Sequence, residues 1–149
     1  MSFLCATCGE KHEGDPWNFA ADFPDMYARM SPDEREIRSL IGSDQCIIDS
    51  EIFCIRGCLD IPIIGSDDVF CWGLWARVNE LAYDAIDANW LRVGKEKILG
   101  PFSGRLVNSL SVYSVDTFNL KVTVQIRPVG ERPVFIVDVA DHPLAIEQR

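Results

Sequence analysis

The sequence predicts an α+β domain: a mainly antiparallel sheet of about six strands, two main helices, and an N-terminal Cys-x-x-Cys turn of zinc-ribbon-like type. Three observations lead there. Apolar stretches come in sequential pairs around short polar or Gly-containing turns, which favours hairpins over β-α-β crossovers. Only two segments carry clear helix signals. The chain has 149 residues, 48% of them hydrophobic and 25% charged, enough for one domain that buries a core without covalent staples.

Taken in order, the chain opens on Cys5-Ala6-Thr7-Cys8-Gly9, with His12 four residues beyond Cys8. Gly14 to Met30, with Pro16, Pro24 and the aromatics Trp17, Phe19, Phe23 and Tyr27, reads as an ordered loop draped over the core. Ser31-Pro32-Asp33-Glu34 is the clearest helix start. Ser31 can cap, Pro32 suits the first helical position and Glu34 completes a capping box. Ile37, Leu40 and Ile41 then form one apolar face, Glu34 and Arg38 are spaced for an i,i+4 pair, and Gly42 stops the helix.

Strand texture begins at Cys46. Residues 46–49 and 52–56 flank a polar Ser50-Glu51 turn, and Leu59 to Ile64 pairs with Val69 to Val78 around Gly65-Ser66-Asp67-Asp68. Pro62 places its strand at an edge or bulge. A helix is expected from Asn79 to Trp90, with Leu81, Ala82, Ala85, Ile86 and Trp90 on one side. Residues 93–117 hold Gly94, Gly100, Pro101 and Gly104 and read as irregular, with a short helix near Leu106 to Leu110. Phe118 to Arg127 and Pro133 to Val139 close the pattern as a third hairpin. The whole reads as one domain over 1–149: an acidic segment 1–45 with the metal-binding turn and one helix, then a sheet core over 46–149.

Charge narrows the function classes. The net charge of -9 argues against a nucleic-acid binder, which needs a basic face. No apolar run approaches the ~20 residues of a membrane helix, and Met1-Ser2-Phe3-Leu4-Cys5 lacks the features of a signal peptide. A reducing, cytoplasmic setting is the expectation. The excess is uneven: residues 1–51 hold 11 acids and 4 bases, against 12 and 10 in the rest. Such a face is commonly just solvated; its sharper reading is a docking surface for a basic protein partner.

Six cysteines stand at 5, 8, 46, 54, 58 and 71. Cys5 and Cys8 can converge on one ion, with Gly9 easing the turn and His12 supplying a third donor, a set that suits tetrahedral zinc. The fourth ligand must come from Cys46, Cys58 or His142. Cys46 is preferred because it starts a strand that a loop can approach. Cys54 and Cys71, each between apolar neighbours, read as small core residues.

Several of these segments recur together in a known pattern. Cys5-Ala6-Thr7-Cys8-Gly9 with His12, Glu34-Arg35, Asp44-Gln45-Cys46-Ile47-Ile48-Asp49, Arg56-Gly57-Cys58-Leu59, Phe70-Cys71-Trp72-Gly73-Leu74-Trp75 and His142-Pro143-Leu144-Ala145 occur in that order. The chain thereby resembles, over nearly its whole length, an uncharacterised bacterial family known as domain of unknown function 2199. The resemblance implies a small cytoplasmic bacterial protein with no established activity. It also implies cysteines at the positions of Cys5, Cys8, Cys46 and Cys58, and histidines at those of His12 and His142.

No nucleophile motif, phosphate-binding loop, dinucleotide fingerprint or His-Glu-x-x-His is present. With His12 engaged, His142 is the one histidine left for acid–base work. Arg56-Gly57 could bind an anion or simply cap a turn. Trp17, Trp72, Trp75 and Trp90 could line a groove, though large aromatics usually pack the core. The reading is a zinc-stabilised, non-enzymatic binding or regulatory module that uses an acidic face. The alternative is a metal-dependent hydrolase with a zinc open to water.

Overall fold

A computed structural model describes the backbone of residues 2–4, 11–13, 18–63, 65 and 67–148, and the side chains of 19–63, 65 and 67–148. Its strands are β1 (Ser2–Leu4), β2 (Lys11–Glu13), β3 (Asn18–Ala20), β4 (Ser39–Ile41), β5 (Gln45–Ile48), β6 (Ile52–Pro62), β7 (Val69–Val78), β8 (Phe102–Leu106), β9 (Lys121–Gln125) and β10 (Val134–Val137). The helices are α1 (Asp25–Ala28), α2 (Pro32–Arg38), α3 (Glu80–Ala88) and α4 (Pro143–Gln148), with a 3₁₀ turn at Lys95–Lys97.

β6 and β7 form the spine, paired antiparallel from Phe53↔Val78 to Pro62↔Val69. Strand alternation then fixes two faces. Phe53, Ile55 and Leu59 share one face with Leu74 and Ala76, inside a core with Phe135. Cys54 and Trp75 point the other way, into a second core with Cys46, Ile48, Tyr27 and Met30. β7, β8, β9 and β10 follow as antiparallel neighbours, and β10 returns to β6 in parallel, with Val134 opposite Cys58. The Cys58 N–H donates to the Pro133 carbonyl at 2.8 Å. β6 to β10 therefore close a five-stranded mixed barrel, with α3 and α4 contributing Ala82, Ile86 and Leu144 to its core.

This corrects the expected six-stranded antiparallel sheet. Three physical causes can be named. β6 runs unbroken through Gly57, so two predicted strands are one. β8 lies in the stretch read as irregular, because Gly100-Pro101 and Gly104 interrupt its apolar pattern. The parallel closure joins residues far apart in sequence, which local periodicity cannot report.

The first helix is also shorter than expected. The capping box forms as predicted, Glu34 N–H to Ser31 Oγ at 3.2 Å and Ser31 N–H to Glu34 Oε1 at 3.3 Å. It stops at Arg38, however, where Ser39 turns extended and starts β4, with Leu40 opposite Ile47. The supposed apolar face is exposed: Ile37 is 84% and Leu40 72% accessible. Arg35 does the inward packing instead, with its guanidinium 4.5 Å from the Tyr27 ring centre.

The zinc-ribbon-like turn of the predicted fold is not supported either. Cys5, Cys8 and the side chain of His12 lie outside the described residues, and among those described no group of three His, Cys, Asp or Glu could hold a metal. β1 and β2 pair antiparallel, with Phe3 opposite His12. β3 joins the main sheet beside β7, and β4 beside β5.

Candidate functional site

The preferred fourth ligand, Cys46, sits in the second core. It is 1% exposed and directly opposite Cys54. Burial pushes its thiol up to about 11, and that of Cys54, which also feels Cys46, up to about 12. A metal ligand must be a thiolate; at Cys46 the metal itself would have to draw off the proton that burial holds. His142 is committed elsewhere. Its Nδ1 accepts from Leu144 N–H at 3.0 Å, so Nε2 carries the proton and donates to the Asp116 carbonyl at 3.1 Å. Both ring nitrogens thus hold the C-terminal helix in place.

Cys58 is different. It is half-buried on the outer face of β6, and so is Cys71 on β7. The register places Cys58 opposite Gly73 and Cys71 opposite Asp60, so Cys58, Asp60 and Cys71 share one face. Across this face the Cys71 thiol interacts with Cys58 and with Asp60. The interaction with Cys71 brings the Cys58 thiol down to about 7 against opposition from burial and Asp60, with Arg127 and Arg132 assisting. Cys71 is correspondingly pushed up, chiefly by Cys58 and by burial. The pair therefore gives up one proton readily and keeps the other. Cys71 is not the core residue its apolar neighbours suggested.

Around Cys58 opens a cavity of ≈ 500 Å³, lined among others by Asp44, Trp90, Lys95, Arg127 and Arg132. Arg127 Nη2 lies 2.7 Å from Asp60 Oδ2, and Arg132 Nε 2.6 Å from Asp44 Oδ1. Lys95 is 5% exposed; its Nζ donates to the Trp90 carbonyl at 3.0 Å and lies 4.8 Å from that ring's centre. Sequence reasoning missed Asp60, Lys95, Arg127 and Arg132. The Cys58-Leu59-Asp60 alternation was a usable signal for one of them, but the cations arrive through tertiary closure.

Arg56, read as an anion site or a turn cap, donates to the Ser43 carbonyl at 3.3 Å and stacks 5.7 Å from the Trp75 ring centre. The Ser43 bond fits the capping reading, while Nη2 lies 3.7 Å from Asp22 Oδ1 and the buried Nε has no hydrogen-bond partner among the described residues. Trp75 is fully buried and Trp72 partly so, donating to the Tyr113 hydroxyl at 3.2 Å, so these two do not share a groove; Trp17 lies outside the described residues.

A second surface lies at the sheet edge. β4 ends the strand order, and among the described residues no strand pairs with its outer side. Exposed Ile37, Leu40 and Ile41 border exposed Asp33, Glu34, Glu36, Asp49 and Glu51. Arg38, the cation in their midst, is taken up by Asp49 at 2.8 Å and Glu34 at 3.0 Å. Among the described residues no helix is long and apolar enough to cross a membrane.

Residues 4–149 match the sequence profile of the family described as uncharacterized proteins conserved in bacteria, DUF2199. The chain belongs to that family. No curated protein and no solved structure matches it.

Proposed function

We propose that this DUF2199 member is a non-enzymatic binding module of the bacterial cytoplasm that docks a basic partner segment on the β4 edge. The observation that carries the proposal is the exposure of Ile37 and Leu40 beside an unpaired strand edge, within an acidic surround. An open edge offers backbone hydrogen bonds to an added strand, and exposed Leu40 and Ile41 offer it apolar contacts. The acidic border would speed encounter with a basic segment and reject acidic ones.

Zinc on Cys5, Cys8, His12 and Cys46 is the stabilising part of the proposal, supported by donor type and spacing. Elemental analysis should find one zinc per chain, lost in Cys5→Ser and Cys8→Ser variants; metal-free protein of unchanged stability would remove this part. The docking part is tested by affinity capture at low and high salt with wild type and Leu40→Arg. A basic partner retained by wild type, weakened by salt and lost in the variant is expected. Capture indifferent to Leu40→Arg overturns the assignment of the edge.

A further inference from the structure

The docking proposal leaves the thiol pair on the outer face of β6 and β7 unused. We propose that Cys58 is a thiol–disulfide exchange site for a small, carboxylate-bearing disulfide, and that Cys71 is its resolving thiol.

Placement comes first. Cys58 lines a cavity that can hold a small molecule, and Cys71 is its diagonal neighbour on the adjacent strand, on the same face. A thiol with a second thiol in contact has a built-in route from mixed to internal disulfide. The other described pair, Cys46 and Cys54, is buried and therefore closed to a reagent. The cavity supplies the recognition. Of the cations on its wall, Arg127 is paired with Asp60 and Arg132 with Asp44, which leaves Lys95 without an ion-pair partner among the described residues. Lys95 uses one donor on the Trp90 carbonyl and has others for a ligand. Arg132 engages Asp44 through Nε, leaving its terminal nitrogens for a carboxylate. Together these groups would seat the acid end of the disulfide while its sulfurs meet Cys58.

The Cys58 thiolate attacks one sulfur of the small disulfide. A new S–S bond forms, the old one breaks, and one small thiolate leaves and takes up a proton. Cys71 then gives up its proton and attacks Cys58 sulfur, releasing the second small thiol and leaving a Cys58–Cys71 disulfide. The protein loses two electrons and two protons, and the small disulfide becomes two thiols. Asp60, directly opposite Cys71, is the neighbouring carboxylate placed to receive that proton.

The test uses the full reduced chain, oxidised glutathione as probe, acid quenching, intact mass and peptide mapping. The expected course is a transient glutathionyl adduct on Cys58, followed by a Cys58–Cys71 disulfide in a chain two hydrogens lighter. Cys71→Ser should accumulate the Cys58 adduct, and Cys58→Ser should leave Cys71 unmodified over the same period. Cystamine, a disulfide with ammonium ends, should react several-fold more slowly. The order of species in wild type decides the matter even if a variant misfolds. First attack at another cysteine, no Cys58–Cys71 link, or equal rates with the two disulfides would overturn the proposal.

Discussion

Replacing Gly57 with alanine tests the barrel closure. A Cβ at this position would stand 2.5 Å from Cζ and 2.7 Å from Cε1 of Phe135, and 2.8 Å from the Pro133 carbonyl oxygen. Neither obstacle moves cheaply. Phe135 is fully buried in the barrel core, and the carbonyl accepts the Cys58 N–H that ties β6 to β10. Overpacking of this kind typically costs about 1–3 kcal/mol. Weakening the Cys58–Pro133 hydrogen bond adds about 1 kcal/mol. Replacing glycine within a strand returns roughly 0.5–1 kcal/mol of backbone entropy. The net expectation is a loss of about 2–3 kcal/mol, the main-chain clash placing it toward the upper end of the overpacking range. At roughly 2–4 °C per kcal/mol for a chain of this size, the melting temperature should fall by about 4–12 °C. Urea unfolding should show a lower midpoint at unchanged slope. A cycle with Phe135→Leu should give a coupling energy of about 1 kcal/mol or more, because only the ring clash is relieved. Stability within about 0.5 kcal/mol of wild type, the usual range for an uninvolved surface site, would refute the closure at this position.

Three further outcomes follow from the described contacts. Alkylation of Cys58, mapped by peptide, should rise through pH 7 and level off, since the thiolate reacts and its thiol lies near 7, faced by Cys71, Asp60, Arg127 and Arg132; a rise continuing to the ordinary thiol value of about 8.5 would contradict that environment. Cys46 and Cys54 should resist alkylation at pH 8, and global stability should fall as pH climbs from about 9 toward 11. The sign follows from proton uptake: unfolded thiols ionise in that window while the buried pair stays protonated, so the unfolded state binds fewer protons. Flat stability across the window, read by urea titration, would count against it. Asn108→Ala should cost about 2–3 kcal/mol in the same assay, since the buried Asn108 accepts from Trp75 N–H and donates to the Phe23 carbonyl and Asp25; a neutral variant would mean that these groups find other partners.

Much of the fold was legible wherever a feature is local. Ser31 and Glu34 announced the capping box, and the Ile48–Ile52 turn announced the β5–β6 hairpin. The helix expected from Asn79 does start there, with Asn79 as its cap, its Oδ1 accepting from Ala82 N–H at 2.7 Å. What failed was global or locally ambiguous. Leu40 and Ile41 fit a helical face and a short strand equally well, and Ser39 decided for the strand by bonding the Arg35 carbonyl through Oγ. β8 was hidden because glycine fills one of its inward positions; a Cβ at Gly104 would meet the Arg77 carbonyl oxygen at 3.1 Å. The short C-terminal helix begins at Pro143, and its anchor is His142, whose two hydrogen bonds no periodicity encodes.

The candidate site was legible only in part, and the barrel explains why. Once Ile55 and Leu59 are committed to the interior, Cys54, Arg56, Cys58 and Asp60 must face outward. The first two are covered by the second core, where Trp75 lies against Arg56 and Tyr27 joins Cys54. Cys58 and Asp60 lie farther along the same strand and remain half-exposed. One strand thus carries a neutral buried thiol at Cys54 and a readily ionised one at Cys58, four residues away on the same face. Burial dominates at the first, while a neighbouring thiol and two arginines outweigh partial burial at the second. Cysteine type and spacing alone could not have separated them, because the deciding groups are Cys71 from the paired strand and arginines brought near by β9, β10 and the turn between them.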